Sequence, residues 1–267
     1  AHVVLPRAFE LVKPHLDLST VPRAHYANAE TKQLNMKQEA DIMQRRPLAQ
    51  RLADMDAMGL DMQALMPPPP QCYYTVPLDI AVKATRMVND GIAEYGAQKP
   101  DRFICFGSVP MSDAGEAVKE LERCMTELEF KGVQILTNIA GQELSHPTFA
   151  PFWKRAEELG ALVVIHPNGF THGERFTRFY FNNIVGNPLE TTLALHYLIF
   201  DGVLERHPEL KLLAVHGGGY LGAYSGRMMA TWPSKLPWAR VEICSASGPV
   251  WMVWSAASSL PFLFASE

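Results

Sequence analysis

The chain has 267 residues, of which 48% are apolar and 19% charged, enough hydrophobic mass for one large domain and too few charges for a disordered segment. Its formal charge of −4 comes without a clustered basic face, which argues against nucleic acid as a partner, because duplex binding needs such a face to displace counterions. Four scattered cysteines, Cys72, Cys105, Cys124 and Cys244, have neither zinc-knuckle nor redox-pair spacing and read as reduced thiols in a reducing, cytoplasmic compartment.

The chain opens on Ala1-His2-Val3-Val4-Leu5-Pro6, which lacks the basic start and long apolar run of a signal peptide. This stretch reads as the interior of a strand, so the chain is expected to be a piece without its true start. Leu5 to Met43 has no clean period and reads as an irregular loop insertion. From Pro47 the pattern changes. Leu48, Arg51, Leu52, Met55 and Met58 recur at helical spacing and Gly59 closes the helix. Asp61 to Met66 follows as a short strand, stopped by Pro67 to Pro70. The same alternation then repeats: a helix over Asp79 to Gly96, a strand over Arg102 to Val109, and a helix capped by Asp113 and running to about Glu127. Next come a strand over Gly132 to Leu136, a helix capped by Thr148 and ending at Gly160, and a strand over Ala161 to Ile165. Pro188 starts a helix predicted to reach Arg206, and Leu210 to Val215 is a further strand.

Strands apolar on both faces and separated by helices imply a parallel sheet covered by helices. Five such strands fall between residues 61 and 216, with another suggested at His2-Val3-Val4. A closed barrel and an open doubly wound sheet both fit this order. No Gly-x-Gly-x-x-Gly follows an early strand, which weighs against dinucleotide binding. Ile243 to Ser266 carries no charge and is long enough for a membrane span. Pro249, Pro261, Gly248 and several serines interrupt it, and no basic anchor follows, so no membrane partner is expected.

The histidines carry the chemical signal. His166 directly follows the strand Ala161 to Ile165, and His216 directly follows Leu210 to Val215. His2 lies beside the first strand. In parallel α/β folds, functional side chains gather at the C-terminal strand ends, where they converge on one mouth. Neutral imidazoles there could bind a divalent metal and position a water. A lone strand-end histidine is more often a satisfied core or loop residue than a ligand. The turns His166-Pro167-Asn168-Gly169 and His216-Gly217-Gly218-Gly219 favour a site, because glycines let backbone approach a ligand. His15, His25, His172, His196 and His207 show no convergent placement. His196 reads as packed within its helix, and His172 as a residue of the loop after His166. No Gly-x-Ser-x-Gly elbow is present.

Several blocks carry a family resemblance: Lys131-Gly132-Val133-Gln134-Ile135, His146-Pro147 with Phe152-Trp153, and Val164-Ile165-His166-Pro167. They continue with Asn187-Pro188-Leu189-Glu190-Thr191-Thr192, Leu198 to Arg206, Pro208-Glu209-Leu210-Lys211 and His216-Gly217-Gly218-Gly219-Tyr220-Leu221. Asp54 to Gly59 adds to them. In this order and spacing the chain resembles the amidohydrolase-related (amidohydrolase 2) family, which includes aminocarboxymuconate-semialdehyde, γ-resorcylate and 5-carboxyvanillate decarboxylases. The likeness spans about residues 44 to 230. It implies a (β/α)8 TIM barrel of the metal-dependent hydrolase type, incomplete here, with its first strand clipped and its last strands altered. Residues 1–240 form the expected barrel domain, and 241–267 a divergent apolar tail in which Val241 to Cys244 could be a seventh strand.

The resemblance further implies that His2 and His166 are metal ligands, that His216 is the general acid/base, and that Arg51 meets a substrate carboxylate. The implied metal is zinc, with manganese as the alternative. The implied substrate is a small aromatic or unsaturated carboxylic acid that loses CO2; metal-activated hydrolysis of a C–O or C–N bond is the alternative on the same fold. Family members are often dimers, so a homodimer is implied too. Two features depart from the pattern. The family opens on His-x-His or Glu-x-His, of which only the second half is present. Its last ligand is an aspartate after the eighth strand, and no Asp follows Asp201. A third reading is therefore an inactive relic of the fold.

Overall fold

The computed structural model of the chain describes residues 1–43, 47–224 and 253–254. Helices α1 (Pro6–Val12), α2 (Pro22–His25) and α3 (Ala29–Met43) come first, followed by α4 (Leu48–Ala57) and β1 (Gln63–Leu65). Then come α5 (Leu78–Gly96), β2 (Phe103–Ser108), α6 (Ala114–Thr126), β3 (Gly132–Leu136) and a small hairpin of β4 (Asn138–Ile139) and β5 (Gln142–Glu143). The remainder is α7 (Ala150–Glu158), β6 (Leu162–His166), α8 (Asn187–Phe200), α9 (Val203–Arg206), β7 (Lys211–Ala214) and β8 (Val253–Trp254).

The sheet order is β1-β2-β3-β6-β7-β8. The first five strands are parallel, as expected, and β8 pairs antiparallel to β7. On the other edge His2 bridges in parallel to Met66, with Val3 N donating to Met66 O at 2.9 Å and Met66 N to Ala1 O at 3.0 Å. At Gly132 a β-carbon would collide with the backbone carbonyl of Leu162, so the close β3–β6 approach requires glycine there.

Side-chain alternation divides the core in two. Leu65, Phe103, Val133, Ile135, Val163, Ile165 and Leu212 face outward onto the helices, where Val88, Ile92, Leu121, Phe152, Trp153 and Leu198 complete one cluster. Met66, Phe106, Val164 and Leu213 face the other way and pack on each other, with Ala64, Ile104, Leu162 and Val215 beside them. Among the described residues no helix joins that inner cluster. A doubly wound sheet would bury both faces under helices, whereas strands that fill their own concave side belong to a barrel. Among the described residues the architecture is α/β, its main sheet holding five parallel strands and the antiparallel β8, an incomplete barrel.

Several element boundaries differ from the sequence reading. The segment expected to be irregular, Leu5 to Met43, holds three helices. Pro6 and Pro22 each open one, and Ala8 and Val12 of α1 are buried in the core. Helices of seven and four residues are too short to display a period. Thr148 does not cap α7. A 3-10 turn over Pro147–Phe149 intervenes, with His146 Nδ1 accepting from Thr148 N at 3.3 Å. The helix expected to reach Arg206 breaks at Gly202, whose φ of 73° is left-handed. Asp113 does cap α6, its carboxylate accepting from Glu116 N at 2.9 Å. The expected strand at Val241 to Cys244, and Cys244 itself, lie outside the described residues. No described helix is long and apolar enough to cross a membrane.

Candidate functional site

His166 is the last residue of β6 and shares the inner face with Leu162 and Val164. It is 6% exposed. Its Nδ1 lies 2.7 Å from Pro167 O. His2 stands beside the end of β1, its Nδ1 3.2 Å from Pro67 O. A carbonyl oxygen can only accept, so both contacts require Nδ1–H, and in each neutral ring the lone pair sits on Nε2. This is the arrangement in which an imidazole is oriented for a metal by the hydrogen bond of its other nitrogen.

His216 follows β7 and opens a 3-10 turn, His216–Gly218. Its φ of 56° is left-handed, a conformation that costs a histidine on the order of 1 kcal/mol. The glycines behind it carry positive φ as well, and at Gly219 a β-carbon would collide with Pro188 O and Thr192 Oγ1 of α8. The turn is therefore pressed onto α8, with Tyr220 N donating to Thr192 Oγ1 at 2.8 Å.

The three imidazoles from distant parts of the sequence meet. Ring centroids of His2 and His166 are 5.7 Å apart, and those of His166 and His216 5.1 Å, both edge to face. Two rings sharing one tetrahedral zinc through metal–nitrogen bonds of about 2.1 Å would have centroids roughly 5 Å apart. Both neighbouring pairs, at 5.7 and 5.1 Å, come near that spacing, so the spacing alone does not choose between them. Among the described residues no set of three His, Cys, Asp or Glu side chains forms a complete metal cage. The donor set fits two ligands of a site rather than all of one.

Arg51 is not drawn into this cluster. It leaves α4 on the helix-covered side of the sheet, where Nη1 donates to Gln63 Oε1 at 2.8 Å and Nε to Tyr95 Oη at 3.1 Å. Nη2 donates to the backbone carbonyl of His2 at 3.1 Å, so Arg51 holds the segment that carries this imidazole.

The loop after His166 is clamped by residues to which sequence reasoning gave no role. Gly169 N donates to Asn187 Oδ1 at 3.0 Å, Phe170 N to Asn182 Oδ1 at 2.7 Å and Thr171 N to Glu190 Oε2 at 3.0 Å. Three consecutive amides thus end on side chains of α8 and of the π-turn before it. Burial, acting first, raises the Glu190 carboxyl above its ordinary value, although bonds from Thr171 and Asn138 pull the other way. The motif Asn187 to Thr192 was the available signal, but only the fold reveals what it holds. His172 is exposed in this loop, near Phe170. His196 is bonded to Thr192 O and stacked on Phe200, and His207 bonds Glu157, as packed or surface histidines do. Burial pushes the thiols of Cys72, Cys105 (to about 11) and Cys124 up, so none offers a thiolate at neutral pH.

A family model described as Amidohydrolase matches residues 15–263. The chain is 34% identical over 200 residues to the 2-amino-3-carboxymuconate-6-semialdehyde decarboxylase of Dictyostelium discoideum, covering 75% of this chain and 54% of that protein. In structure it is similar to 2,6-dihydroxybenzoate decarboxylase from Rhizobium, with a TM-score of 0.64 and 26% identity over 72% of this chain and 63% of that one. It is also similar to a 5-carboxyvanillate decarboxylase from Novosphingobium aromaticivorans, solved with bound manganese and 3-methoxy-4-hydroxy-5-nitrobenzoic acid. That TM-score is 0.70, with 25% identity over 86% of this chain and 66% of that one. The chain spans about half the length of the curated relatives it matches.

Proposed function

The chain belongs to the amidohydrolase family, and from that premise we propose that it is a divalent-metal carboxy-lyase that removes CO2 from a small aromatic or unsaturated carboxylic acid. The observation that supports the reading is the meeting of His2, His166 and His216 at one strand-end mouth, with Nδ1 of two of the rings on proline carbonyls, which leaves Nε2 as the atom that would ligate. His2 and His166 hold the metal in this proposal, zinc by preference for imidazole and manganese as the alternative. The ion supplies neutralisation of the substrate's carboxylate and neighbouring oxygen. As the bond to the carboxylate carbon breaks, its electron pair stays on the substrate carbon and CO2 departs. His216 delivers the proton that takes its place, in the role of general acid. Arg51 was expected at a substrate carboxylate. Its three bonds support instead a clamp that fixes the segment of His2.

The test is CO2 release from a panel of hydroxybenzoates by protein loaded with zinc or manganese. Release is expected from the wild type and a loss of at least a hundredfold from His166→Ala. Hydrolysis of ester or amide substrates without CO2 release would replace the lyase reading by C–O or C–N hydrolysis. A second reading, a relic of the fold, is favoured by the lack of a complete ligand cage among the described residues. Retention of less than about a tenth of an equivalent of metal after loading would support it, since a working site keeps its metal.

A homodimer and a cytoplasmic setting complete the proposal. Phe179, Phe181 and Ile184, 56%, 40% and 59% exposed on one short segment, support the first. The buried thiols of Cys72 and Cys124 and the half-buried Cys105, unpaired among the described residues, support the second. Sedimentation equilibrium tests the dimer.

A further inference from the structure

The ring of His2 owes its orientation to the carbonyl of Pro67, and that carbonyl has a second donor. Gln134, in the middle of β3, reaches Pro67 O through Nε2 at 2.9 Å, while His2 Nδ1 approaches the same oxygen at 3.2 Å. A carbonyl oxygen has two lone pairs, so the two donors complete it. Gln134 is 0% exposed and lies on the inner face of the barrel, because its neighbours Val133 and Ile135 point outward into the helix-packed core. Its amide can meet Pro67 O only with the nitrogen; reversed, two acceptors would face each other. That orientation leaves Oε1 buried without a hydrogen-bond partner among the described residues. Leaving a buried acceptor unmet costs free energy. A glutamine held in this way calls for a compensating role of the donor.

We propose that Gln134 is a positioning residue: by fixing the Pro67 carbonyl it holds His2 in the Nδ1–H tautomer, with Nε2 presented to a divalent cation. The inference rests on the reading of His2 as a metal ligand and adds a residue that does not itself touch the metal. The strand-to-loop turn at Met66-Pro67 lies between two edges, bridged to His2 on one side and tied to β3 on the other. Without Gln134 the carbonyl loses its tie to β3, and the acceptor that meets His2 Nδ1 is no longer held in place. Groups bonded directly to a ligating histidine typically contribute ten- to a hundredfold in metal affinity, which is an upper bound for Gln134 acting through the Pro67 carbonyl.

The experiment has two readouts. Ring-nitrogen NMR on metal-free protein, with the His2 signals assigned by their loss in His2→Asn, reports the tautomer. Competition against a chelating dye reports Mn2+ affinity. The wild type is expected in the Nδ1–H form. Gln134→Met, of similar size, is expected to mix the tautomers and weaken Mn2+ binding by up to about tenfold. Cys72→Ala, which removes the other neighbour of the Gln134 amide at 3.7 Å, is expected to change neither. An Nε2–H ring in the wild type overturns the proposal even if Gln134→Met does not fold. So does an unchanged tautomer in Gln134→Met, or the same losses in Cys72→Ala. If the wild type binds no Mn2+, the metal reading of the site falls, while the tautomer comparison still decides the role of Gln134.

Discussion

Glu190 illustrates how a single side chain couples the site to pH. Burial raises its carboxyl above the ordinary value near 4.5, so the folded chain binds this proton more tightly than the unfolded one. The sign follows from linkage. Above about 4.5 and up to the raised folded value, the native state holds the extra proton, so this group's contribution to stability falls as pH rises through that window. Glu190→Gln should flatten that part of the pH–stability curve, read by urea midpoints between pH 4.5 and 7.5. An unchanged slope would place the effect elsewhere. Gly219 sets a steric limit at the same scale. With φ at 63° and both Pro188 O and Thr192 Oγ1 in the way of a β-carbon, Gly219→Ala is expected to lose about 2 kcal/mol and to lower the thermal midpoint by several degrees.

Among elements, the decisive joint is between α4, β1 and α5. Arg51 spans it, reaching Gln63, Tyr95 and the carbonyl of His2. Charged hydrogen bonds contribute about 1.5–3 kcal/mol each, not additively. Arg51→Met should therefore cost about 2–3 kcal/mol in denaturant unfolding, and Arg51→Lys should recover only part, since an ammonium cannot reproduce the planar fork. The sequence made the helix itself legible, because Leu52 and Met55 repeat at helical spacing. It could not assign Arg51, because the partners that decide its role come from 12 and 44 residues onward and from His2 near the start of the chain. The same limit applies to Gln134 and Glu190. Each stood in a visible motif, yet its function depends on which backbone atom the fold brings alongside. The strands were legible because burial on both faces leaves an unbroken apolar run. Helices α1 and α2 were not, being shorter than the window in which a period can show.

For the molecule as a whole, the parallel sheet and the strand-end histidines could be read in advance, whereas the choice between barrel and open sheet could not. Alternating apolar positions look alike whether the second face meets helices or its own neighbours. Met66, Phe106, Val164 and Leu213 decide it by packing on one another. If His2 and His166 hold a cation, binding must stabilise the whole cooperative unit. At a metal concentration a hundred times the dissociation constant, the gain is about 2.7 kcal/mol. Calorimetry should show an upward shift of the unfolding temperature with Mn2+ or Zn2+ that is absent in His166→Ala. A shift of equal size in both would mean the ion binds elsewhere.

The oxygens that steer these rings both belong to prolines, Pro67 and Pro167. Each carbonyl is held by the folded backbone around it, and that of Pro67 also by the Gln134 amide, so each acceptor is in place before any ion arrives. The ordering that an adaptable loop would undergo on capture is completed here when the chain folds. An incoming cation would meet lone pairs already aimed, and its association should run close to the pace of water exchange on the ion, with little lag from backbone rearrangement.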